Sequence, residues 1–293
     1  MGLQSAATRF REILGSGDTI LMPGVFNAIT AKLAARAGFQ ALYLSGAGVT
    51  NALTGYPDIG LLTLTEMAQQ ARYVSGATEL PIIADADTGY GDVLNTVRAV
   101  EEFEQAGIAG IHLEDQVSPK RCGHLDGKQV ISAGDMAKKI KAATHARSND
   151  DFVLIARTDA RSVNGIQDAI DRAKRYVGAG ADAIFPESLQ SVAEFEQFAA
   201  ALDKTPLMAN MTEFGKTPMI AASTFADMGY AMVIYPMTAF RVMMRSAEHV
   251  YAEIKETGTQ EAFLNRMQTR AELYDLIDYE RFRRLDKTIA DED

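Results

Sequence analysis

The sequence predicts a (β/α)8 barrel followed by a C-terminal helical extension, and three observations predict it. Eight short apolar runs alternate with helical patterns, as buried parallel strands and their covering helices do. Four of the runs follow a helical pattern that ends at a glycine, the residue that closes a helix in a left-handed cap. No Gly-x-Gly-x-x-Gly follows the first run, which removes the best signal for the competing doubly wound dinucleotide fold.

In chain order the strands are expected at 20–22, 41–45, 81–85, 110–114, 153–157, 182–186, 206–210 and 232–236. Ala37-Gly38, Ala106-Gly107, Ala179-Gly180 and Met228-Gly229 close the helices before the second, fourth, sixth and eighth. Beyond the last strand, 239–255 and 260–277 read as helices, with Phe263, Met267, Tyr274 and Ile277 on one apolar face of the second. Closing a barrel does not require them. Residues 1–293 are therefore expected to form a single barrel domain whose helices in 239–293 pack on a partner subunit.

At 293 residues the chain suits one barrel, which typically uses about 250. Its 47% hydrophobic and 23% charged residues supply a sizeable core beneath a polar surface. A net charge of -10 argues against a nucleic-acid partner, because phosphate binding draws on clustered Lys and Arg. An anionic substrate must then be met locally, by a metal and a few placed arginines. The single cysteine rules out an intramolecular disulfide. Residues 1–14 lack the pattern of a secretory signal, and no apolar stretch approaches the roughly 18 residues that span a membrane. A cytoplasmic location with no membrane partner is expected.

The residues at the ends of the runs are unusually polar: Ser45-Gly46, Asp85-x-Asp87, Glu114-Asp115, Arg157-x-Asp159, Glu187 and Asn210-x-Thr212. In a barrel the C-terminal strand ends share one mouth, so these termini become one constellation. Alternate strand residues point the same way, so Asp85 and Asp87 can face one hard cation. A bare Asp-x-Asp usually decorates a polar loop. A barrel mouth with Glu114 and Asp58 available as outer ligands favours Mg²⁺ instead.

A lone cysteine is usually a small core hydrophobe. Cys122 instead lies in Ser118-Pro119-Lys120-Arg121-Cys122-Gly123-His124, a polar and locally basic loop expected to lower its pKa and close over substrate. Arg157 and Arg241 offer planar forks for carboxylates, against the ordinary reading of arginine as a surface residue. Asn210 and Thr212 can hold a carboxylate by neutral hydrogen bonds, and Glu187 can accept from a hydroxyl or order Arg157. His112, inside a strand, reads as a core or supporting histidine rather than a ligand.

With Asp58, Arg157-Thr158-Asp159, Phe185-Pro186-Glu187, Asn210-Met211-Thr212-Glu213, Tyr235-Pro236, Arg241 and Gln268-Thr269-Arg270, the cysteine loop and Asp-x-Asp resemble the isocitrate lyase and phosphoenolpyruvate mutase superfamily over nearly the whole chain. Arg121 and the chain length resemble its methylisocitrate-cleaving branch, whereas Leu125-Asp126-Gly127-Lys128 is closer to the isocitrate lyases. Ala47 stands where the family commonly has glycine. The resemblance implies a Mg²⁺-dependent retro-Claisen cleavage of a tricarboxylate, (2S,3R)-2-methylisocitrate, to pyruvate and succinate, as in propionate catabolism through the methylcitrate cycle. It implies Asp85 and Asp87 at the metal, with Asp58 in its outer shell through water. Substrate would meet Ser45, Gly46, Ala47, Cys122, Gly123, His124, Arg157, Glu187, Asn210, Thr212, Arg241 and Arg270. Cys122 would be the acid, His124 its tuning neighbour, and either Tyr43 or Glu114 the hydroxyl base. Phe185, Ile234 and Pro236 would form a wall against the substrate methyl. A homotetramer with an exchanged helix is implied as well. Related lyases of isocitrate or 2,3-dimethylmalate, and a non-catalytic dicarboxylate-binding barrel, are the alternatives.

Overall fold

The computed structural model describes residues 4–125, 127–202 and 204–291. Eight parallel strands form its sheet: β1 (Ile20–Val25), β2 (Leu42–Leu44), β3 (Ile82–Asp85), β4 (Gly110–Glu114), β5 (Val153–Thr158), β6 (Ala183–Pro186), β7 (Met208–Asn210) and β8 (Met232–Tyr235). Seven continuous pairings run from β6 through β1 to β8 and β7, with registers such as Gly24↔Tyr43 and Met22↔Ile234. The eighth seam is a single parallel bridge, Ile184↔Leu207, supported by Ile184 N donating to Pro206 O at 3.0 Å. The sheet is thereby a nearly closed barrel, as the eight runs predict.

Local chemistry sets the boundaries. Gly38, Gly107, Gly180 and Gly229 all take positive φ, so each expected cap is present. Ser45, Thr63, Ser132 and Ser191 accept backbone N–H groups at the starts of four covering helices. The strands are buried on both faces, which explains why they read as continuous apolar runs rather than alternating ones.

Inside the barrel, Ile20, Met22, Tyr43, Ile83, Val153, Ile155, Phe185, Met208, Met232 and Ile234 pack in one cluster. Phe10, from the N-terminal helix Ala6–Leu14, joins that cluster, and burying its ring is worth roughly 1.5–3 kcal/mol. Two residues further along each strand, the same inward phase reaches Ser45, Asp85, Arg157, Glu187 and Asn210, all buried. The interior thus turns from apolar to polar at the mouth.

Residues 239–293 form a second compact unit. The expected helix at 239–255 is observed as Thr238–Thr257. The expected helix at 260–277 is not continuous: a 3-10 segment Glu261–Arg266 is followed by extended backbone at Met267 and a new helix, Arg270–Leu276. Thr269 caps that helix in a capping box with Glu272, a start signal in the middle of the apolar pattern. A further helix, Tyr279–Ala290, follows. Among the described residues, no helix is long and apolar enough to cross a membrane.

Candidate active site

Asp85 ends β3, and its Oδ1 accepts the backbone N–H of Asp87 at 2.9 Å. Asp87 has a φ of 46°, in the left-handed region that aspartate tolerates better than most residues. Gly46 is required beside this pair, because a Cβ there would stand 2.5 Å from Asp85 Oδ2. Tyr43 Oη lies 2.8 Å from His112 Nε2 and 3.5 Å from Asp85 Oδ2. Burial pushes the Tyr43 phenol well above its ordinary value, and pushes His112 down to about 4. Both groups are therefore neutral near pH 7, and His112 is the supporting histidine expected.

Lys120, almost wholly buried, places Nζ 2.8 Å from Asp87 Oδ1 and pairs also with Asp58. Asp58 thus reaches Asp87 through an ammonium group. Burial, with repulsion from Asp85 and Asp58, raises Asp87 to about 6 despite Lys120. For Asp85, burial opposes the charge, but His112, Lys120 and Arg157 outweigh it and hold the carboxyl below its usual value.

Glu114, at the end of β4, is fully buried. Burial raises its carboxyl well above the ordinary range, against Arg157 and Lys120. Among the described residues its Oε1 has no hydrogen-bond partner, and its Oε2 has only the Arg157 Nε ion pair at 3.3 Å. Buried acceptor oxygens without donors are suited to a hard cation and its waters. Among the described residues no three His, Cys, Asp or Glu converge tightly enough to enclose a metal by themselves. The donor set, a few carboxylates with room left for water and substrate, fits Mg²⁺.

The cysteine loop is anchored on both sides of Cys122. On one side Lys120 joins the β3 corner. Gln116 clamps Arg121 by accepting its N–H at 3.0 Å and donating to its carbonyl at 2.8 Å. On the other side Gly123 sits so close to the ends of β5 and β6 that a Cβ would be 2.5 Å from Arg157 Nη2 and 2.6 Å from Glu187 Cγ. His124 Nδ1 accepts the N–H of Lys216 at 3.0 Å, which assigns the ring proton to Nε2, 3.0 Å from Glu187 Oε1. Cys122 is half-buried between these anchors. Its thiol is raised, not lowered as the basic neighbours predict: burial outweighs the help of the His124 N–H and of Arg157. The sequence shows the charges near the thiol but not that Lys120 and Arg157 are already neutralised by carboxylates.

Arg157 lies under the Gly123 end of the loop. Its Nε and Nη2 engage Asp159 at 2.9 and 3.2 Å, Nε also approaches Glu114 at 3.3 Å, and Nη1 is 3.4 Å from Glu187. Its fork therefore holds the protein's own carboxylates, and the guanidinium stands 5.1 Å from the centre of the Phe185 ring. Glu187 accepts from Asn210 Nδ2 at 3.2 Å and lies 2.9 Å from Ser188 Oγ. Burial opposes its charge, yet Arg157 and His124 hold the carboxyl well below the usual range. Among the described residues Asn210 Oδ1 has no hydrogen-bond partner, and Thr212 is half-buried.

Ser45 caps the helix Gly46–Thr54, whose first turn includes half-buried Ala47. Phe185 and Ile234 are wholly enclosed in the interior cluster, and Pro236 is buried at the end of β8. Arg241 and Arg270 belong to the second unit, in its first helix and at the start of Arg270–Leu276. Sequence reasoning placed Asp159 at the mouth and Lys120 in the cysteine loop without seeing what they pair with, and gave Lys128 no part in the site. The polar end of β5 signals Asp159, but nothing in the spacing signals Lys128.

A family model described as phosphoenolpyruvate phosphomutase matches residues 10–255, and the chain belongs to that family. It is 50% identical over 280 residues to the 2-methylisocitrate lyase of Aeropyrum pernix, covering 96% of this chain and 90% of that one. It is 47% identical over 287 residues to the 2-methylisocitrate lyase of Bacillus subtilis, covering 98% and 94%. Both relatives are carbon–carbon lyases, and the chain is an enzyme of that kind. Among solved structures, a 2,3-dimethylmalate lyase of the PEP mutase/isocitrate lyase superfamily matches with a TM-score of 0.93 at 34% identity, over 98% of this chain and 96% of that one. A phosphonopyruvate hydrolase in complex with oxalate and Mg²⁺ matches with a TM-score of 0.88 at 29% identity, over 97% and 99%.

Proposed function

We propose that the chain cleaves (2S,3R)-2-methylisocitrate to pyruvate and succinate, with Cys122 as the proton donor. The observation that carries this reading is the thiol itself: burial keeps it protonated, on a loop anchored to both the Asp87 and the Glu187 corners. The names of the relatives support the substrate. Mg²⁺ is proposed at Asp85 and Asp87, where it would polarise the carboxylate and hydroxyl oxygens of the pyruvate half and stabilise their charge.

Glu114 is the hydroxyl base in this reading. Its Oε1 has no donor among the described residues and the Arg157 guanidinium beside Oε2 favours its charged form, whereas Tyr43 keeps its proton and is engaged with His112. As the hydroxyl proton passes to Glu114, the carbon–carbon bond breaks and its electron pair remains on the carbon that becomes part of succinate. Cys122 Sγ then delivers a proton to that carbon. Before the next turnover the thiolate is re-protonated from solvent and Glu114 releases to solvent the proton it took from the hydroxyl, so protons balance over the cycle. This reading assigns Asn210, Thr212 and the Gly123-His124 backbone as donors to the succinate carboxylates.

A methyl group gives only about 1–3 kcal/mol of discrimination, so the substrate is settled by direct assay. Purified protein with Mg²⁺ is offered 2-methylisocitrate, isocitrate and 2,3-dimethylmalate, and the released oxo acid is identified. Pyruvate from 2-methylisocitrate at the highest kcat/KM supports the reading. A preference for either other acid, or no turnover of any, overturns it.

A further inference from the structure

Behind the loop, Lys128 reaches into a place the chemistry above does not use. Its side chain is buried, and Nζ donates both to the carbonyl of Gly123 and, at 2.6 Å, to Asp159 Oδ1. Asp159 in turn holds Arg157, Arg157 approaches Glu187, and Glu187 meets His124, the residue after Gly123. The series of contacts runs through Lys128, Asp159, Arg157 and Glu187, alternating in charge, and closes on Gly123 and His124, the two residues after Cys122. Ser188 Oγ braces it, donating to the Gly123 carbonyl at 2.7 Å. Removing the ammonium would leave both Asp159 oxygens paired with the Arg157 fork, but would take from the Gly123 carbonyl its charged donor.

The geometry points to Lys128 as a positioning residue that latches the Cys122 loop, acting through the Gly123 carbonyl and never touching substrate. The inference rests on the proposed role of Cys122 as proton donor. Placing a reacting group about 1 Å off its productive position costs on the order of 10²-fold in rate. Loss of the latch is therefore a loss in kcat, with KM and metal affinity nearly unchanged.

Cys122 is the chain's single cysteine, so its reactivity reports loop position without reference to turnover. Lys128→Met and Lys128→Gln are compared with wild type by kcat and KM for 2-methylisocitrate, by the rate of iodoacetamide labelling at fixed pH, and by thermal melting. Expected for Lys128→Met is a kcat lower by roughly 10- to 100-fold, KM within a few-fold, and labelling faster by several-fold. Lys128→Gln, which keeps a neutral donor, falls between and serves alone if the methionine variant does not fold. Unchanged kcat and labelling overturn the latch, as does a lower melting point with no change in labelling. Faster labelling in a protein that turns over no 2-methylisocitrate leaves the latch standing and removes the functional reading instead.

Discussion

Gly123→Ala is the substitution whose effect can be worked most closely from the structure. The new methyl would lie 2.5 Å from Arg157 Nη2, 2.6 Å from Glu187 Cγ and 2.7 Å from Glu187 Cδ, about 0.7 Å or more inside ordinary contact. Neither neighbour can yield cheaply. Arg157 is tied to Asp159, and Glu187 to Asn210 and Ser188, all buried. Overpacking of this kind costs typically 1–3 kcal/mol. The loop relieves it more readily than the strand ends, so Cys122 moves outward by an amount of order 1 Å, and kcat falls about 10²-fold. Steady-state pyruvate release measures kcat and KM, and titration calorimetry measures Mg²⁺ affinity, which is expected to hold because Asp85 and Asp87 are untouched. Gly178→Ala, with open space around its Cβ, is the control. Wild-type turnover in Gly123→Ala, or equal losses in both variants, would refute the packing argument.

Three further outcomes are expected. Gly46→Ala puts a methyl 2.5 Å from Asp85 Oδ2, turning that carboxylate away and weakening Mg²⁺ binding roughly 10- to 100-fold by calorimetry. Glu114→Gln removes the proposed base and lowers kcat by about 10²–10⁴-fold, whereas Tyr43→Phe costs at least tenfold less; pre-steady-state rates that reverse this order would reassign the base. Because burial raises the Cys122 thiol, the thiolate is the minor form at neutral pH and gains population only as pH climbs beyond the ordinary cysteine range. Iodoacetamide labelling should therefore be slow at pH 7 and still rising past pH 9, and a plateau below pH 8 would contradict the raised value.

The barrel was legible because each strand carries its own signal, an apolar run bounded by turn residues, and because four positive-φ glycines mark the preceding helix ends. The polar strand ends were equally legible: Ser45, Asp85, Glu114, Arg157, Glu187 and Asn210 are all buried at the end of the inward phase. What the sequence could not carry is how charges pair across strands. The basic character of the cysteine loop suggests a lowered thiol, but Lys120 is spent on Asp58 and Asp87, and burial decides the sign. Arg157 reads as a free fork from spacing alone, yet Asp159, two residues on, occupies it. The C-terminal pattern misled for a local reason, since the Thr269 cap interrupts an apolar periodicity that otherwise looks continuous.

The most direct test of Cys122 as proton donor is turnover by Cys122→Ser, with Mg²⁺ and succinate affinities measured on the same preparation. A serine hydroxyl keeps nearly the same shape but is a far weaker acid than a thiol. The expected result is a kcat reduced by at least about 10³-fold, with both affinities within a few-fold of wild type. Turnover near the wild-type rate would remove Cys122 from the chemistry.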